Sequence, residues 1–202
     1  MTNRVENTFG TRENPYKDTV VRHHDGRVLD SPLTVKIMTS TLSWAVQTSS
    51  VLDAPAEEYG VLNPLDKGSY RGFSLNQIKS KNEEFFDRWE RNSFSVRFPG
   101  GESYSDLVNR LEPTLIEIEQ QMCPVLVIGH RSVLQVLYCY LSGIDIREVA
   151  SVSIPHKVVI EFKPSKGGIF LETRHYLDGS DRSEVAIESP SMGRPHIDSL
   201  ES

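Results

Sequence analysis

In this 202-residue chain, His130 is the side chain whose sequence surroundings most resemble those of a catalytic or ligand-binding residue. It follows Gly129 and Val125–Ile128, a β-branched apolar run typical of a strand covered on both faces, and a helical pattern begins at Ser132. Ligands bind beyond the carboxyl ends of strands in open α/β sheets, and the free N–H groups of a helix N-terminus favour an anion. His130 is therefore a candidate active-site histidine. The alternative is a polar residue that closes a strand-to-turn junction, and the strand–Gly–His–helix pattern alone favours that alternative.

The other histidine and thiol groups are weaker candidates. His23-His24 lies in a polar turn, and we interpret it as a solvated loop rather than a catalytic or metal site. Cys123 and Cys139 form neither a C-x-x-C pair nor a disulfide framework. We therefore expect reduced thiols in a cytoplasmic protein, with no metal site and no cofactor.

Composition excludes several classes of function. With 38% hydrophobic and 25% charged residues the chain can form one sizeable core, and its formal net charge of −6 argues against nucleic-acid binding. No apolar run approaches the ~20 residues that span a bilayer, so no membrane partner is expected. The first ten residues contain no apolar signal-peptide core, which argues against secretion.

Strand and helix patterns alternate along the chain, as in a layered α/β domain. The patterns predict strands at Thr34–Met38, Val125–Ile128, Lys157–Phe162 and Ile169–Tyr176, helices at Thr41–Leu52, Leu75–Phe94 and Ser103–Gln121, and a long loop at Asp53–Ser74. The last two strands are typical of a hairpin. Pro113 predicts either a kink or two abutting helices within its segment. Residues 179–202 are rich in Ser, Pro, Glu and Asp, which predicts a disordered tail.

Three stretches carry a resemblance to a known family. They are VKIMTSTLSWAVQT at Val35–Thr48, FPGGESYSDLVNRLEP at Phe98–Pro113 and PVLVIGHRSVLQ at Pro124–Gln135. They resemble the bisphosphatase half of 6-phosphofructo-2-kinase/fructose-2,6-bisphosphatase, in the histidine phosphatase (phosphoglycerate mutase-like) superfamily. The similarity runs in order over residues 4–178, which defines the expected domain. It implies a three-layer α/β fold with a mostly parallel central sheet, here lacking its first strand. The kinase half has no counterpart, because no G-x-x-x-x-G-K-[ST] loop occurs in these residues.

The resemblance implies a two-step phosphoryl transfer, for which the family uses four motifs. A nucleophilic histidine lies in R-H-G-E, an arginine in T-S-x-x-x-R, an acid in L-N-E-x-D, and a second phosphate-binding histidine in G-H. His130 matches the last of these, whereas R-H-G-E does not occur in these residues. Trp44 stands in the arginine's place, and a neutral indole cannot hold a phosphoryl group bidentately. Pro64 stands in the acid's place and has no titratable group to protonate a leaving group.

The family's sugar-phosphate contacts are only partly retained. Arg88 and Tyr104 match substrate-contacting positions. Leu75 and Gln135 replace a tyrosine and an arginine, while Arg131 replaces a glutamine and adds a cation at the mouth of the pocket. The resemblance therefore implies that Arg88, Tyr104 and Arg131 would bind substrate.

Three hypotheses follow from these losses. The first is a degenerate, inactive bisphosphatase domain that binds a protein partner or a phosphorylated sugar such as fructose 2,6-bisphosphate or fructose 6-phosphate. The second is a truncated sequence of a bifunctional enzyme, or of a kinase with a degenerate phosphatase half. The third is an active phosphatase that uses His130 itself as nucleophile. In the superfamily the R-H-G strand lies inside the sheet beside the strand that ends at His130. Either the polypeptide extends upstream, or the remaining strands close the sheet, or a partner supplies an edge.

Overall fold

The structure is a computed structural model that describes residues 35–52, 54–165, 170–177 and 183–189. Its strands are β1 (Lys36–Thr39), β2 (Ala56–Glu58), β3 (Val125–Ile128), β4 (Val158–Pro164), β5 (Phe170–Tyr176) and β6 (Ser183–Ser189). Its α-helices are α1 (Ser43–Ser49), α2 (Leu75–Lys81), α3 (Glu83–Arg91), α4 (Tyr104–Gln120) and α5 (Arg131–Ser142). Short 3-10 helices lie at Gly60–Leu62, Gly68–Tyr70 and Ile146–Ser151.

The first sheet is parallel and has the order β2-β1-β3. The register pairs Ile37 with Leu126 and Thr39 with Ile128, so β1 and β3 end side by side. Helices connect these strands, as parallel pairing requires. The predicted α/β class with a parallel sheet is confirmed. β2 falls inside the predicted loop, where three residues without apolar alternation gave no strand signal.

Strand β3 is less covered than its sequence predicts. All four of its residues are half-buried, although a β-branched apolar run is typical of a strand covered on both faces. Among the described strands β3 pairs with β1 alone. The prediction of a strand buried on both faces does not hold, because all four residues are only half-buried.

The second sheet is antiparallel, with the order β4-β5-β6. The predicted hairpin is β4 and β5, paired from Val158 with Tyr176 to Pro164 with Phe170. Within the described residues β4 does not pair with β3, so the remaining strands do not close into one sheet. β6 pairs with β5 and covers seven residues of the predicted tail. The alternation Val185, Ile187 is the strand signal that the tail's polar composition obscures.

Two helix predictions need correction. The single helix predicted over Leu75–Phe94 is divided at Asn82, whose side-chain oxygen accepts a hydrogen bond from the Phe85 amide at 3.0 Å and begins α3. The segment around Pro113 is one continuous helix rather than two abutting ones. Residues on both sides of the proline, Leu111 and Thr114, are buried, and a kink at Pro113 stays a prediction.

Helix α5 connects the core to both sheets. Val133 and Val136 are buried in the same core as Met38 of β1. On the other side, the Tyr138 ring contacts the ring of Phe162 in β4, with centroids 5.7 Å apart. The start of α5 is thus fixed at the carboxyl edge of the parallel sheet.

Candidate functional site

His130 lies at the carboxyl end of β3 and is the N-cap of α5. Its side chain is buried, and its Nε2 atom shares a 2.7 Å hydrogen bond with the hydroxyl of Ser40, which follows β1. Parallel pairing of β1 and β3 brings these two strand ends together. Burial lowers the pKa of His130, which favours the neutral imidazole near pH 7.

Trp44 of α1 covers one side of the His130 ring. The ring centroids are 4.2 Å apart and the planes are nearly perpendicular, at 83°. The indole is 52% exposed, so it separates the imidazole from solvent on that side without itself belonging to the core. His130 therefore has one nitrogen bound by Ser40 and one side covered by an uncharged ring.

Beside His130 lies a cavity of about 310 Å³, a volume within the usual range for small-molecule sites. Three basic side chains line it, namely Lys67, His130 and Arg131. Pro64 also lines the cavity. In the part of the chain that the structure describes, the lining contains no aspartate or glutamate, so the charge of the cavity is positive.

A buried polar pair forms the floor of this cavity. The Tyr104 hydroxyl donates to Oε1 of Gln135 at 2.8 Å, and Nε2 of Gln135 donates to the carbonyl of Val152 at 2.7 Å. Burial raises the pKa of Tyr104 to about 12, so its phenol stays protonated. The pair offers fixed hydrogen-bonding groups but no proton transfer near neutral pH.

The loop that presents Pro64 is held from behind by Arg110 of α4. The guanidinium donates to the carbonyl oxygens of Val61, Asn63 and Pro64, and it forms an ion pair with Glu102 at 2.9 Å. Both charged side chains are about four-fifths buried. This network fixes the loop's backbone, so the position that carries Pro64 is well defined.

The structure brings together three of the four residues predicted for the site. His130, Tyr104 and Arg131 all line the cavity. Arg88 does not line it, because its guanidinium lies over the Phe85 ring, 5.8 Å from the centroid, on the same helix. A role for Arg88 in ligand binding stays a prediction from the resemblance alone.

Sequence reasoning missed several residues of the site. Lys67 and Trp89 line the cavity, and Ser40 binds His130. Ser132 lines it as well and accepts a hydrogen bond from the Leu65 amide at 3.0 Å. Nothing in the spacing of Lys67 or Trp89 marks them, because tertiary packing of a loop and of α3, rather than a motif, places them here.

No metal site is found in the described ranges, where no group of three or more His, Cys, Asp and Glu residues is close enough to hold an ion. His23-His24 lies outside the described residues. The absence of a metal or cofactor thus stays a prediction. Among the helices that the structure describes, none is long and apolar enough to cross a membrane.

Comparison with known proteins shows the family of this chain. The family profile of the histidine phosphatase superfamily (branch 1) matches residues 25–175, and the chain belongs to this superfamily. Within it, the chain resembles fructose-2,6-bisphosphatases and bifunctional 6-phosphofructo-2-kinase/fructose-2,6-bisphosphatases. It is 33% identical over 136 residues to fructose-2,6-bisphosphatase of Saccharomyces cerevisiae, covering 67% of this chain and 30% of the yeast protein. It is 32% identical over 162 residues to 6-phosphofructo-2-kinase/fructose-2,6-bisphosphatase 3 of Homo sapiens, covering 78% of this chain and 31% of the human protein.

A relative from Arabidopsis thaliana, 6-phosphofructo-2-kinase/fructose-2,6-bisphosphatase, is 32% identical over 142 residues, which are 70% of this chain and 19% of the plant protein. The chain thus spans between a fifth and a third of the length of these relatives. Solved structures show the same fold. The alpha-ribazole phosphatase from Shigella flexneri matches with a TM-score of 0.52 at 14% identity, over 77% of this chain and 73% of that one. Mycobacterial glucosyl-3-phosphoglycerate phosphatase matches with a TM-score of 0.52 at 17% identity, over 78% of both chains.

Proposed function

We propose that this domain is a pseudophosphatase of the fructose-2,6-bisphosphatase type, which binds a phosphorylated sugar in the cytoplasm without hydrolysing it. The observation that carries the proposal is the contact between Trp44 and His130. An uncharged indole occupies the place where the family pattern has a phosphate-binding arginine, and it lies against the histidine that would share the phosphoryl group.

The acid side of the reaction is missing as well. Pro64 lines the cavity at the position of the family's proton donor, and proline cannot protonate a leaving group. Losing a general acid costs about 10²–10⁴-fold in rate, and losing one electrostatic donor to the transition state costs about 3–4 kcal/mol. Trp44 and Pro64 both lie well inside the sequence, so these two replacements do not depend on where the sequence starts. The two losses together favour a protein that binds a phosphorylated sugar but does not hydrolyse it.

Ligand binding is supported by the cavity itself. It has the size of a small-molecule site, and it combines Arg131 and Lys67 with the fixed Tyr104–Gln135 pair. Cations and neutral donors without lining carboxylates favour an anionic ligand with hydroxyl groups. Fructose 2,6-bisphosphate and fructose 6-phosphate are the ligands that the family suggests.

His130 as an independent nucleophile receives less support. A phosphoryl acceptor has to present a free ring nitrogen to the substrate, but Nε2 is bound to Ser40 and the ring is 3% exposed. The buried, hydrogen-bonded ring favours a positioning role for this side chain.

The test measures binding and turnover on the same purified protein. Isothermal titration with fructose 6-phosphate and with fructose 2,6-bisphosphate should show saturable binding, while phosphate release from the bisphosphate should not exceed that of buffer. Arg131→Ala should weaken binding, whereas Arg91→Ala, which removes an exposed cation of α3 outside the cavity lining, should not. Repeated turnover that His130→Ala abolishes would refute the proposal.

The length of the relatives favours a second arrangement, in which this domain works as the phosphatase-like half of a longer polypeptide with a kinase. The chain covers only 31% of the human bifunctional relative. Immunoblotting the native protein against the purified 202-residue chain distinguishes the two. A species of the same mass would argue against the longer polypeptide, and a larger one would support it.

A further inference from the structure

We propose that Lys67 is the principal cation that binds the phosphate group of the ligand in this cavity. The proposal rests on the ligand binding proposed above and adds a residue to which none of the family motifs described earlier assigns a role. Lys67 lines the same cavity as His130 and Arg131, yet it comes from the loop after Pro64 rather than from a phosphate-binding motif.

The ammonium group of Lys67 has donors to spare. Its Nζ atom donates one hydrogen bond to the carbonyl oxygen of Phe73 at 2.8 Å. An ammonium carries three N–H donors, so two remain for a ligand. Across the residues that the structure describes, Lys67 forms no ion pair with an aspartate or glutamate. Within that part of the chain the ammonium is thus held by a neutral carbonyl rather than by a counter-charge.

Burial without a counter-charge is unfavourable for a cation. Lys67 is half-buried, and that burial alone lowers the pKa of its ammonium. A buried charge is ordinarily paired, and an anionic ligand would supply the missing charge. The protein has therefore already partly desolvated this ammonium, and a phosphate beside it would stabilise the charged form.

The backbone on both sides of Lys67 is rigidly held. The carbonyl of Asp66 accepts a hydrogen bond from the Glu102 amide at 2.8 Å, and the Ser69 amide donates to the Pro99 carbonyl at 2.9 Å. Two glycines allow this close contact: a Cβ on Gly68 would lie 2.2 Å from the Pro99 oxygen, and one on Gly101 would lie 2.2 Å from the Asp66 oxygen.

Such interlocking fixes the backbone of Lys67 before any ligand arrives. A preorganised donor loses less conformational entropy on binding than one on a loose loop. Lys67 therefore combines a rigid backbone with a partly desolvated charge, which is the combination that a binding site requires.

A second, independent observation points to a ligand in the same cavity. Trp89 lines it and is 8% exposed, and its indole Nε1 is buried without a hydrogen-bond partner among the described residues. A buried N–H group without a partner is unfavourable, and a ligand oxygen would satisfy it. The lining of the cavity thus includes Lys67, whose ammonium has no counter-charge, and Trp89, whose buried indole N–H has no hydrogen-bond partner, among the described residues.

The test compares Lys67→Met and Lys67→Arg with the wild type, using Lys79→Met as the matched control. Lys79 is a surface lysine of α2 whose ammonium lies over the Phe86 ring. Isothermal titration uses fructose 6-phosphate, inorganic phosphate and uncharged fructose. Lys67→Met should weaken fructose 6-phosphate binding by about 10- to 100-fold, the range for a charge-assisted hydrogen bond. Lys67→Arg should retain part of the affinity, and Lys79→Met all of it.

A second measurement guards against a loss of folding. Carbon-13 NMR of the lysine ε-carbons follows the titration of each ammonium in the wild type. Saturation with fructose 6-phosphate should raise the pKa of Lys67 and leave the ε-carbon signal of Lys79 unshifted.

The outcomes separate this inference from the proposed function. A wild type that binds no phosphorylated sugar overturns both. A wild type that binds, together with unaltered affinity in Lys67→Met or an unmoved Lys67 titration, overturns the role of Lys67 and leaves the proposed function standing. Fructose that binds as tightly as fructose 6-phosphate would show that no cation recognises the phosphate.

Discussion

Replacing Arg110 with alanine should markedly lower the stability of this protein. The guanidinium bridges the Glu102 carboxylate and the backbone carbonyls of Val61, Asn63 and Pro64. The exposed fractions of the Arg110 and Glu102 side chains are only 23% and 22%. Truncation would therefore leave a largely buried carboxylate and several carbonyl groups without their donor.

The magnitude follows from that burial. Breaking a buried pair by removing one partner costs about 3–5 kcal/mol, because the remaining charge is uncompensated. For a domain of this length, 1 kcal/mol shifts the melting temperature by about 2–4 °C, so the expected decrease is about 6–20 °C. Arg110→Lys should recover only part of this, since an ammonium cannot present the planar fork that contacts carboxylate and carbonyls together.

Urea unfolding followed by circular dichroism measures the free energy of unfolding of each variant. Arg97→Ala is the control, because Arg97 also pairs with a carboxylate, that of Asp106, but is 62% exposed. An exposed pair is worth less than about 1 kcal/mol. The reasoning is refuted if Arg110→Ala and Arg97→Ala lower the free energy of unfolding equally, or if Arg110→Lys is as stable as the wild type.

Three further predictions concern pH, thiols and loop packing. Burial lowers the pKa of His130 from its ordinary value of 6.5, so the unfolded chain binds a proton more readily than the folded protein does. The contribution of the neutral, buried His130 to the free energy of unfolding is therefore complete above about pH 6.5 and is lost as the pH falls through the folded pKa. Urea titrations at several pH values should show a smaller acid-side loss in His130→Asn, and an identical pH profile would contradict this. In the native protein a thiol reagent should modify Cys123, which is half-buried, but not Cys139, which is buried and whose pKa is raised to about 11; equal rates would count against the buried thiol. Gly101→Ala should lower the melting temperature because its Cβ would meet backbone at 2.2 Å, whereas Gly60→Ala, with open space around it, should leave it nearly unchanged.

The best-predicted parts of the fold are those with strong local patterns. The β3 strand and the start of the helix that follows it lie within a residue of their predicted positions, because an apolar β-branched run and a helical stripe both lie in one short segment. The hairpin of β4 and β5 follows from two alternating runs around a glycine-rich turn. The family resemblance, rather than a local pattern, predicts Tyr104 and Arg131 as site residues, and both line the same cavity as His130.

The parts that failed depend on contacts made elsewhere in the molecule. The partial burial of β3 depends on which elements pack against it, which its own residues do not encode. Lys67 reaches the cavity because its loop interlocks with a second loop more than thirty residues away, and no spacing rule connects the two. Asn82 divides a helix through a single side-chain hydrogen bond that a periodic pattern does not register.

The hydrogen bond between Ser40 and His130 also has a consequence for how the protein is made. The two residues are 90 positions apart in sequence, so their contact exists only once β1 and β3 have paired. At the usual rates of synthesis, roughly 5 to 20 seconds separate the emergence of Ser40 from that of His130. Throughout that interval the nascent chain has half of a site, and a polypeptide released before His130 would carry no ligand-binding cavity.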